Sequence, residues 1–278
     1  MTSKVFAHEM KQSWRLPVLM CVAAIVLTLI AKLVTRYMET SDYRYEAPAI
    51  ISAVLFMFLM LYSAYMIVTN FIVFLMIPVR FYRECYSNIG YLTHCLPVRK
   101  SAIIWAHLFS GLIWLLLYMV LDFFCVDFLF FNEGSLVMEV FRFVFGPMLR
   151  EIRNIVAEVG TPAVIVMVLI VLMVPVAPCY MILNSFCAVS LGQVFKKHRI
   201  VGAVVMYYII HFVVGMINTP VYVILLFTTD LLDRSDTPER MTWFFVVLLA
   251  VNLLLMLVES VAFFLITKDR MEKRLNLE

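Results

Sequence analysis

The stretch TPAVIVMVLIVLMVPVAPCYMILNSFCAVSLGQVF, residues 161–195, contains no Asp, Glu, Lys or Arg. A transmembrane helix needs about 20 consecutive apolar residues, so this stretch is long enough to cross a bilayer. Five further apolar runs occur along the chain, and together they give six predicted spans. The predicted spans lie near residues 16–34, 47–79, 101–131, 161–195, 200–228 and 241–267.

The composition indicates that lipid surrounds much of this chain. Hydrophobic residues make up 64% of the 278 residues, charged residues make up 15%, and the mean hydropathy is +0.97. Soluble domains are about half apolar and about a quarter charged. The runs are too long for transmembrane β-strands and lack their alternation of apolar and polar residues. The sequence therefore predicts an all-α membrane protein, in which residues 1–278 form a single transmembrane domain.

The distribution of basic residues predicts the orientation of the spans. With the N-terminus inside, the connections placed in the cytosol carry twice as many Lys and Arg residues as the connections placed outside. Cytosolic connections of membrane proteins are enriched in Lys and Arg. We therefore expect a multi-pass protein of the cell membrane with both termini in the cytosol.

Two segments outside the spans have amphipathic patterns. Residues 2–14 carry apolar side chains such as Val5, Phe6, Met10 and Trp14 among polar and charged ones. This pattern predicts a short elbow helix on the inner membrane surface, although a frayed basic tail would have the same composition. Residues 132–160 show helical spacing of apolar residues on the outer side, with a break at Gly146-Pro147. This outer amphipathic segment is either a cap over the mouth of a pathway or an interfacial helix without such a role.

The sequence motifs of several enzyme classes are absent. No GxxxxGK[ST] phosphate loop occurs, so we do not expect the chain to bind or hydrolyse ATP through that motif. His8-Glu9-Met10-Lys11-Gln12 begins like a zinc-protease helix, but Gln12 stands where the second histidine ligand is required. We predict no catalytic residue, no metal site and no directly bound cofactor. The small net charge of +3 also gives no indication of nucleic-acid binding.

The polar segment RFYRECYSNIGYLTHCLPVRK, residues 80–100, separates the second and third predicted spans. Aromatic and aliphatic side chains within it can anchor a short helix against a protein partner. The flanking basic residues hold such a helix at an anionic membrane surface, and Leu96-Pro97 ends it. This composition predicts a structured cytosolic segment that a motor protein can push.

Few polar side chains are predicted to lie deep in the membrane. The four candidates either bond a neighbouring helix or line a translocation path. They are Asn70, His211, Asn252 and Glu259. By contrast, Asp122 lies roughly 31 Å along its predicted helix, which places both it and Asp127 near the outer surface in a solvated role.

Two prolines interrupt the fourth predicted span. Pro175 and Pro178 each remove a helix hydrogen bond and are expected to kink the span. The kink is either a hinge or a fixed accommodation of a long run. The sequence leaves both alternatives open.

The cytosolic segment resembles the corresponding loop of ABC-2-type ABC transporter permeases. The similarity also extends to the layout, with six spans, both termini inside, an N-terminal surface helix and the ending Lys273-Arg274-Leu275-Asn276-Leu277-Glu278. The loop positions that carry the resemblance are Glu84, Ser87, Asn88, Gly90-Tyr91-Leu92-Thr93, Leu96-Pro97-Val98 and Lys100-Ser101.

This resemblance implies that Ser87–Thr93 is a coupling helix, which docks into a separate cytosolic P-loop ATPase subunit. Tyr86, Ile89, Tyr91 and Leu92 would be its anchoring side chains. ATP and magnesium would be bound by the partner ATPase. The positions assigned to ATPase coupling are Arg83, Glu84, Tyr86, Ser87, Asn88, Ile89, Gly90, Tyr91, Leu92 and Thr93.

The family also implies a second permease subunit, in a homodimer or a heterodimer, and an N-terminal elbow helix that matches residues 2–14. One feature departs from several exporters of this type, in which short re-entrant outer helices lie between spans five and six. Here that connection is short and acidic, and the amphipathic outer segment lies between spans three and four. We therefore do not carry over a detailed gating mechanism.

These observations predict the membrane subunit of an ATP-driven exporter. The 19 Met residues suit an adaptable apolar cavity, which favours an amphipathic peptide as substrate, with lipids or hydrophobic drugs as the alternative. An ion-coupled secondary transporter remains a second interpretation, with Glu259 and His211 as coupling groups. A non-transporting membrane anchor or sensor that recruits an ATPase is a third.

Overall fold

The computed structural model describes residues 2–40, 49–87, 90, 99–130, 160–195, 198–228 and 238–273. These parts of the chain form seven α-helices and contain no strand. The helices are α1 Thr2–Ser13, α2 Arg15–Thr40, α3 Ala49–Cys85, α4 Lys100–Phe130, α5 Thr161–Gly192, α6 Arg199–Thr228 and α7 Pro238–Lys273.

Six of the seven helices are long and apolar enough to cross a membrane. The prediction of an all-helical protein with six membrane-like helices is therefore confirmed. The stretches that meet this criterion are Arg15–Arg36, Phe56–Cys85, Lys100–Val126, Thr161–Gly192, Arg199–Phe227 and Thr242–Lys273.

Three helices extend well past the ends predicted from hydropathy. α2 runs to Thr40, α3 to Cys85 and α7 to Lys273. Each extension adds polar or charged residues, which are compatible with a helix but not with the middle of a bilayer. Hydropathy detects the end of an apolar run, whereas the helix ends only where its backbone hydrogen bonds stop.

The backbone of α5 remains helical through Pro175 and Pro178. Long apolar helices tolerate proline because neighbouring groups can satisfy the freed backbone atoms. The predicted outer amphipathic segment, 132–160, lies outside the described residues except for Gly160, which has a φ of 78° directly before α5.

The chain divides into two compact units. Unit 1 comprises Met1–Val5, Ile77–Leu112 and Leu149–Glu278. Unit 2 comprises Phe6–Met76 and Ile113–Met148. Helices α3 and α4 therefore contribute residues to both units.

In unit 1, α5 packs against both α6 and α7, which have few contacts with each other. The second half of α5 is a continuous buried stretch, residues 182–190. At the α5–α6 connection, a Cβ on Gly192 would lie 2.5 Å from the Ala203 Cα, and one on Gly202 would lie 2.7 Å from the Gly192 carbonyl oxygen. Only glycine permits these backbones to come so close.

In unit 2, one face of α2 consists of small residues. Ala24, Thr28 and Ala31 recur at helical spacing and are buried against Tyr62 and Met66 of α3. Small side chains let helix backbones approach closely in a membrane, where packing replaces the hydrophobic effect as the force between helices.

The end of α1 is also held within unit 2. The Trp114 indole N–H donates a hydrogen bond of 2.9 Å to Ser13 Oγ. Ser13 Oγ in turn donates to the Met10 carbonyl oxygen at 3.1 Å. These bonds connect α1 to α4, while the predicted position of this helix on a membrane surface stays a prediction.

Candidate functional site

The start of the predicted coupling loop is fixed to α5 by a buried hydrogen bond. Tyr86 follows directly after α3 and is only 6% exposed. Its hydroxyl donates to Ser190 Oγ at 2.9 Å, and Ser190 donates its own proton to the Phe186 carbonyl oxygen at 2.8 Å. Both hydroxyl groups are therefore satisfied within unit 1.

Aromatic rings surround this hydrogen bond. Phe81 stacks on Phe186 with ring centroids 4.1 Å apart, and its ring also meets Tyr86 and His107 edge-on at 5.9 Å and 5.5 Å. Phe81 and Phe186 are completely buried. We call Phe81, Tyr86, His107, Phe186 and Ser190 the aromatic core, because together they join the end of α3 to α4 and α5.

Charged side chains lie next to the aromatic core. Arg80 Nη2 is 3.4 Å from Glu84 Oε1, one helical turn later, and Glu84 Oε2 is 3.6 Å from His107 Nε2. These contacts join Glu84 to its own helix and to α4. Glu84, which the sequence assigns to ATPase coupling, thus contacts other side chains of unit 1, and Arg83 is exposed on the same helix end.

Burial controls the ionisation of the tyrosine at this site. It raises the pKa of the Tyr86 hydroxyl well above its usual range, against the smaller opposing effects of the Ser190 hydrogen bond and the Arg270 charge. The hydroxyl consequently stays protonated at physiological pH and remains a hydrogen-bond donor to Ser190.

Gly90 lies close to the end of α3 and to Ser87. The Gly90 N–H donates to the Ser87 carbonyl oxygen at 2.7 Å, and Ser87 Oγ donates to the Arg83 carbonyl oxygen. A Cβ on Gly90 would lie 2.7 Å from the Cys85 carbonyl oxygen, so any other residue would force the backbone at one of these positions to shift. The remaining predicted coupling residues lie outside the described part of the chain. They are Asn88, Ile89, Tyr91, Leu92 and Thr93.

Helices α5, α6 and α7 hold three of the four polar residues predicted at membrane depth. The Glu259 side chain of α7 forms a hydrogen bond with that of Tyr180 on α5. Asn252 Nδ2 donates to the Tyr222 hydroxyl of α6 at 2.9 Å. These bonds link neighbouring helices, which is one of the two roles that the sequence leaves open for these residues.

His211 is the third predicted polar residue in these helices, and it differs from Asn252 and Glu259. It is exposed on α6, with its ring parallel to that of Tyr207 at a centroid distance of 6.4 Å. The contact described for His211 is with Tyr207, whereas the one described for Glu259 is with Tyr180, so the structure does not pair these two candidate coupling groups.

Asn70, the fourth predicted polar residue, forms a hydrogen bond with Asp122, which the sequence predicts to lie near the outer surface. Asn70 Nδ2 donates to Asp122 Oδ2 of α4 and, at 2.9 Å, to the Met66 carbonyl oxygen. The sequence predicts a solvated Asp122, whereas Asp122 Oδ1 is buried in the structure. The sequence analysis measured the depth of Asn70 from the predicted end of its span. Helix α3 continues beyond that point to Cys85, so Asn70 lies about 22 Å from the helix end, where Asp122 can reach it.

Sequence reasoning missed Phe186, Ser190 and His107. Each stands within or beside a long apolar run, where nothing distinguishes it from an ordinary packing residue. Ser190 and Ser185 are both buried serines in the second half of α5, and only the fold shows which of them meets Tyr86. The sequence analysis reached this site only through Glu84 and Tyr86, which belong to the segment assigned to coupling.

In comparisons with known proteins, no family model, no curated protein and no solved structure matches this chain. The resemblance of the cytosolic loop to ABC-2-type permeases therefore rests on the residues quoted above.

Proposed function

We propose that this chain is the membrane-spanning permease subunit of an ATP-driven exporter. In this proposal it is a multi-pass protein of the cell membrane with both termini in the cytosol. Two permease subunits form the translocation path, and each couples to a cytosolic P-loop ATPase subunit that binds ATP and magnesium. The permease itself has no catalytic role.

The observation that carries the proposal is the fixed start of the loop between α3 and α4. A segment that transmits a conformational change from an ATPase must be attached firmly to the spans that it moves. Tyr86 bonds to Ser190, and Phe81 stacks on Phe186, so the end of α3 is attached to α5 by both polar and apolar contacts. A loosely tethered linker between two spans would not require this arrangement.

The two ends of the coupling segment then have different roles. Tyr86 is buried in unit 1, so we assign it to holding the loop in place. Tyr91, Leu92 and Ile89 supply the contact with the ATPase, because aromatic and large aliphatic side chains are the effective anchors of protein interfaces.

The proposed substrate is an amphipathic or hydrophobic peptide. The support comes from the composition, in particular the 19 Met residues, whose flexible and polarizable side chains fit varied apolar ligands. In the part of the chain that the structure describes, the exposed surface of α6 is strongly apolar along its whole length. Such a surface suits contact with lipid, with a second permease subunit or with a hydrophobic substrate.

The experiment is to solubilise the protein from its native membrane in detergent, to purify it, and to measure the ATPase activity that is recovered with it. Tyr91→Ala combined with Leu92→Ala is expected to reduce recovered ATPase activity at least tenfold while membrane insertion stays normal, because the interface anchors are lost. The matched control is Tyr208→Ala combined with Ile209→Ala, which removes an exposed tyrosine and a neighbouring aliphatic side chain from α6.

Unchanged ATPase recovery with the loop variant would contradict the coupling assignment. A loss of equal size with the α6 control would show that the loop variant acts through general damage to the protein. A wild-type preparation that retains its lipids but brings down no P-loop ATPase would contradict the exporter proposal itself.

A further inference from the structure

Tyr180 of α5 is close to polar and aromatic side chains of both helices that pack against α5. Its hydroxyl donates a hydrogen bond to the Glu259 carboxylate of α7, and its ring centroid lies 5.7 Å from that of Phe263 on the same helix. Tyr207 and Tyr222 of α6 are also within electrostatic range of the Tyr180 hydroxyl. Because α6 and α7 have few contacts with each other, Tyr180 is the residue that connects these groups.

The two tyrosines of α6 mark the ends of this region. Tyr207 and Tyr222 are 15 residues apart, which is about 22 Å along a helix, so Tyr180 lies at a level between them. Asn252 of α7 fixes one end, since its Nδ2 donates to the Tyr222 hydroxyl at 2.9 Å. Between the tyrosines, a Cβ on Gly215 would meet no atom of another described helix within 4 Å. This part of α6 therefore has open space beside it.

Asn218 supplies a second and independent observation. It lies three turns after Tyr207 and one turn before Tyr222, so it is on the same face of α6 as both tyrosines. Its Oδ1 is buried and has no hydrogen-bond partner within the described part of the chain. A buried amide oxygen without a donor is costly. A ligand that donates a hydrogen bond to this oxygen would remove that cost.

The region also carries a negative charge without a counterion. Glu259 belongs to the membrane-like stretch Thr242–Lys273, and it forms no ion pair with any residue that the structure describes. A carboxylate at membrane depth is expensive unless neighbouring groups compensate its charge. Tyr180 supplies one hydrogen-bond donor, and a positively charged ligand would supply the missing counterion.

A protonated amine is the ligand that fits these groups. Its positive charge complements the Glu259 carboxylate, and its N–H groups can donate to that carboxylate and to Asn218 Oδ1. Tyrosine rings attract organic cations through their faces. A hard metal ion fits less well, because it takes six or more oxygen ligands and gains nothing from aromatic rings of this kind.

We propose that unit 1 binds the protonated amino group of a hydrophobic or amphipathic substrate. The binding site, called the amine site below, consists of Tyr180, Tyr207, Asn218, Tyr222 and Glu259. The amine site rests on the proposed function only where its ligand is taken to be the exported substrate, and it narrows that substrate to a cation. Binding of the amine itself requires no ATPase.

The test is equilibrium dialysis of dansylcadaverine, a hydrophobic primary amine, against the purified full-length protein in lipid nanodiscs without any ATPase. Alkyl amines are protonated at neutral pH, as the lysine side chain is. The N-acetylated form of the same probe is neutral and is measured in parallel, and protein-free nanodiscs correct for partition into lipid. The wild type is expected to bind the amine at least about tenfold more tightly than the neutral form.

Glu259→Gln removes the charge but keeps an oxygen that can accept the hydrogen bond from Tyr180. Loss of the charge-assisted hydrogen bond is expected to weaken binding of the amine roughly tenfold to a hundredfold. Binding of the neutral probe should not change. Glu272→Gln is the matched control on the same helix, because Glu272 is exposed and pairs with Lys268, and it should alter neither affinity.

Asn218→Leu provides a second measurement, since it removes the unpartnered oxygen and keeps a side chain of similar size. It is expected to weaken binding of the amine about threefold to tenfold, and unchanged affinity would remove Asn218 from the amine site.

Absent or equal binding of the two probes by the wild type would overturn the amine site. An unchanged amine affinity in Glu259→Gln, or equal losses for both probes, would overturn it as well. These assays contain no ATPase, whereas the exporter proposal is tested by ATPase recovery with the loop variant, so the failure of one proposal is distinguishable from the failure of the other.

Discussion

Each of the two units contains a tyrosine hydroxyl that is hydrogen-bonded to a serine or threonine hydroxyl on another helix. In the aromatic core of unit 1, Tyr86 donates to Ser190, which donates to the carbonyl oxygen four residues earlier on its own helix. In unit 2, Tyr62 and Thr28 form the equivalent bond at 2.9 Å, and Thr28 donates to the Ala24 carbonyl oxygen at 2.7 Å. Each pair thus links two helices without leaving a donor proton unused.

The surroundings of the two pairs differ. Stacked aromatic rings enclose the pair in unit 1. The pair in unit 2 lies in a buried cluster that includes the small residues Ala24 and Ala31 of α2. Stacked rings bury more apolar area per residue than alanine and threonine do, so removing a ring costs more stability. The comparison therefore predicts larger losses of stability for changes in the aromatic core of unit 1 than for changes around the hydroxyl pair of unit 2.

The largest expected effect concerns the rings of the aromatic core. Phe186→Ala removes a completely buried ring that stacks on Phe81, so it is expected to lower the free energy of unfolding by about 3–5 kcal/mol. Thermal unfolding in detergent would measure this change. Phe212→Ala, at an exposed position on α6, is the control and should change the melting temperature little. Equal shifts for both variants would mean that the core is not tightly packed.

An intermediate effect is expected for the hydroxyl pair in unit 1. Ser190→Ala leaves the Tyr86 hydroxyl buried without an acceptor and should cost about 1–3 kcal/mol, because an unsatisfied buried donor is penalised. Tyr86→Phe should cost only about 1 kcal/mol, since Ser190 keeps its bond to Phe186. The double variant should be no less stable than Ser190→Ala, as measured by the same unfolding assay. The reverse order of the two single variants would contradict this hydrogen-bond assignment.

The smallest effect is expected for the equivalent pair in unit 2. Tyr62→Phe removes one hydrogen bond between membrane helices, which is worth about 0.6 kcal/mol on average. Thr28 retains its bond to Ala24, so no donor is left unsatisfied. Tyr208→Phe, at an exposed position, is the matched control in the unfolding assay. A loss as large as that of Ser190→Ala would remove the difference between the two units.

Much of the fold follows from the sequence, whereas little of the candidate site does. Residues 161–195 predict a membrane helix because their composition leaves no other stable state in lipid. The ends of α3 and α7 were harder to place, since charged residues can continue a helix beyond the apolar run. Glu84 was singled out from its sequence context, but its neighbour His107 could not be, because the two are far apart along the chain.

By itself, the sequence determined that this is an all-helical chain with six membrane-like helices. Hydrophobicity is a property of each residue, and a run of about 20 such residues specifies its solvent without reference to the rest of the chain. The tertiary structure alone decided which polar groups meet. Asn70 and Asp122, or Tyr86 and Ser190, are brought together by the packing of helices that are distant in sequence. A hydrogen bond requires an approach within a few ångströms, and no local pattern of residues specifies that distance.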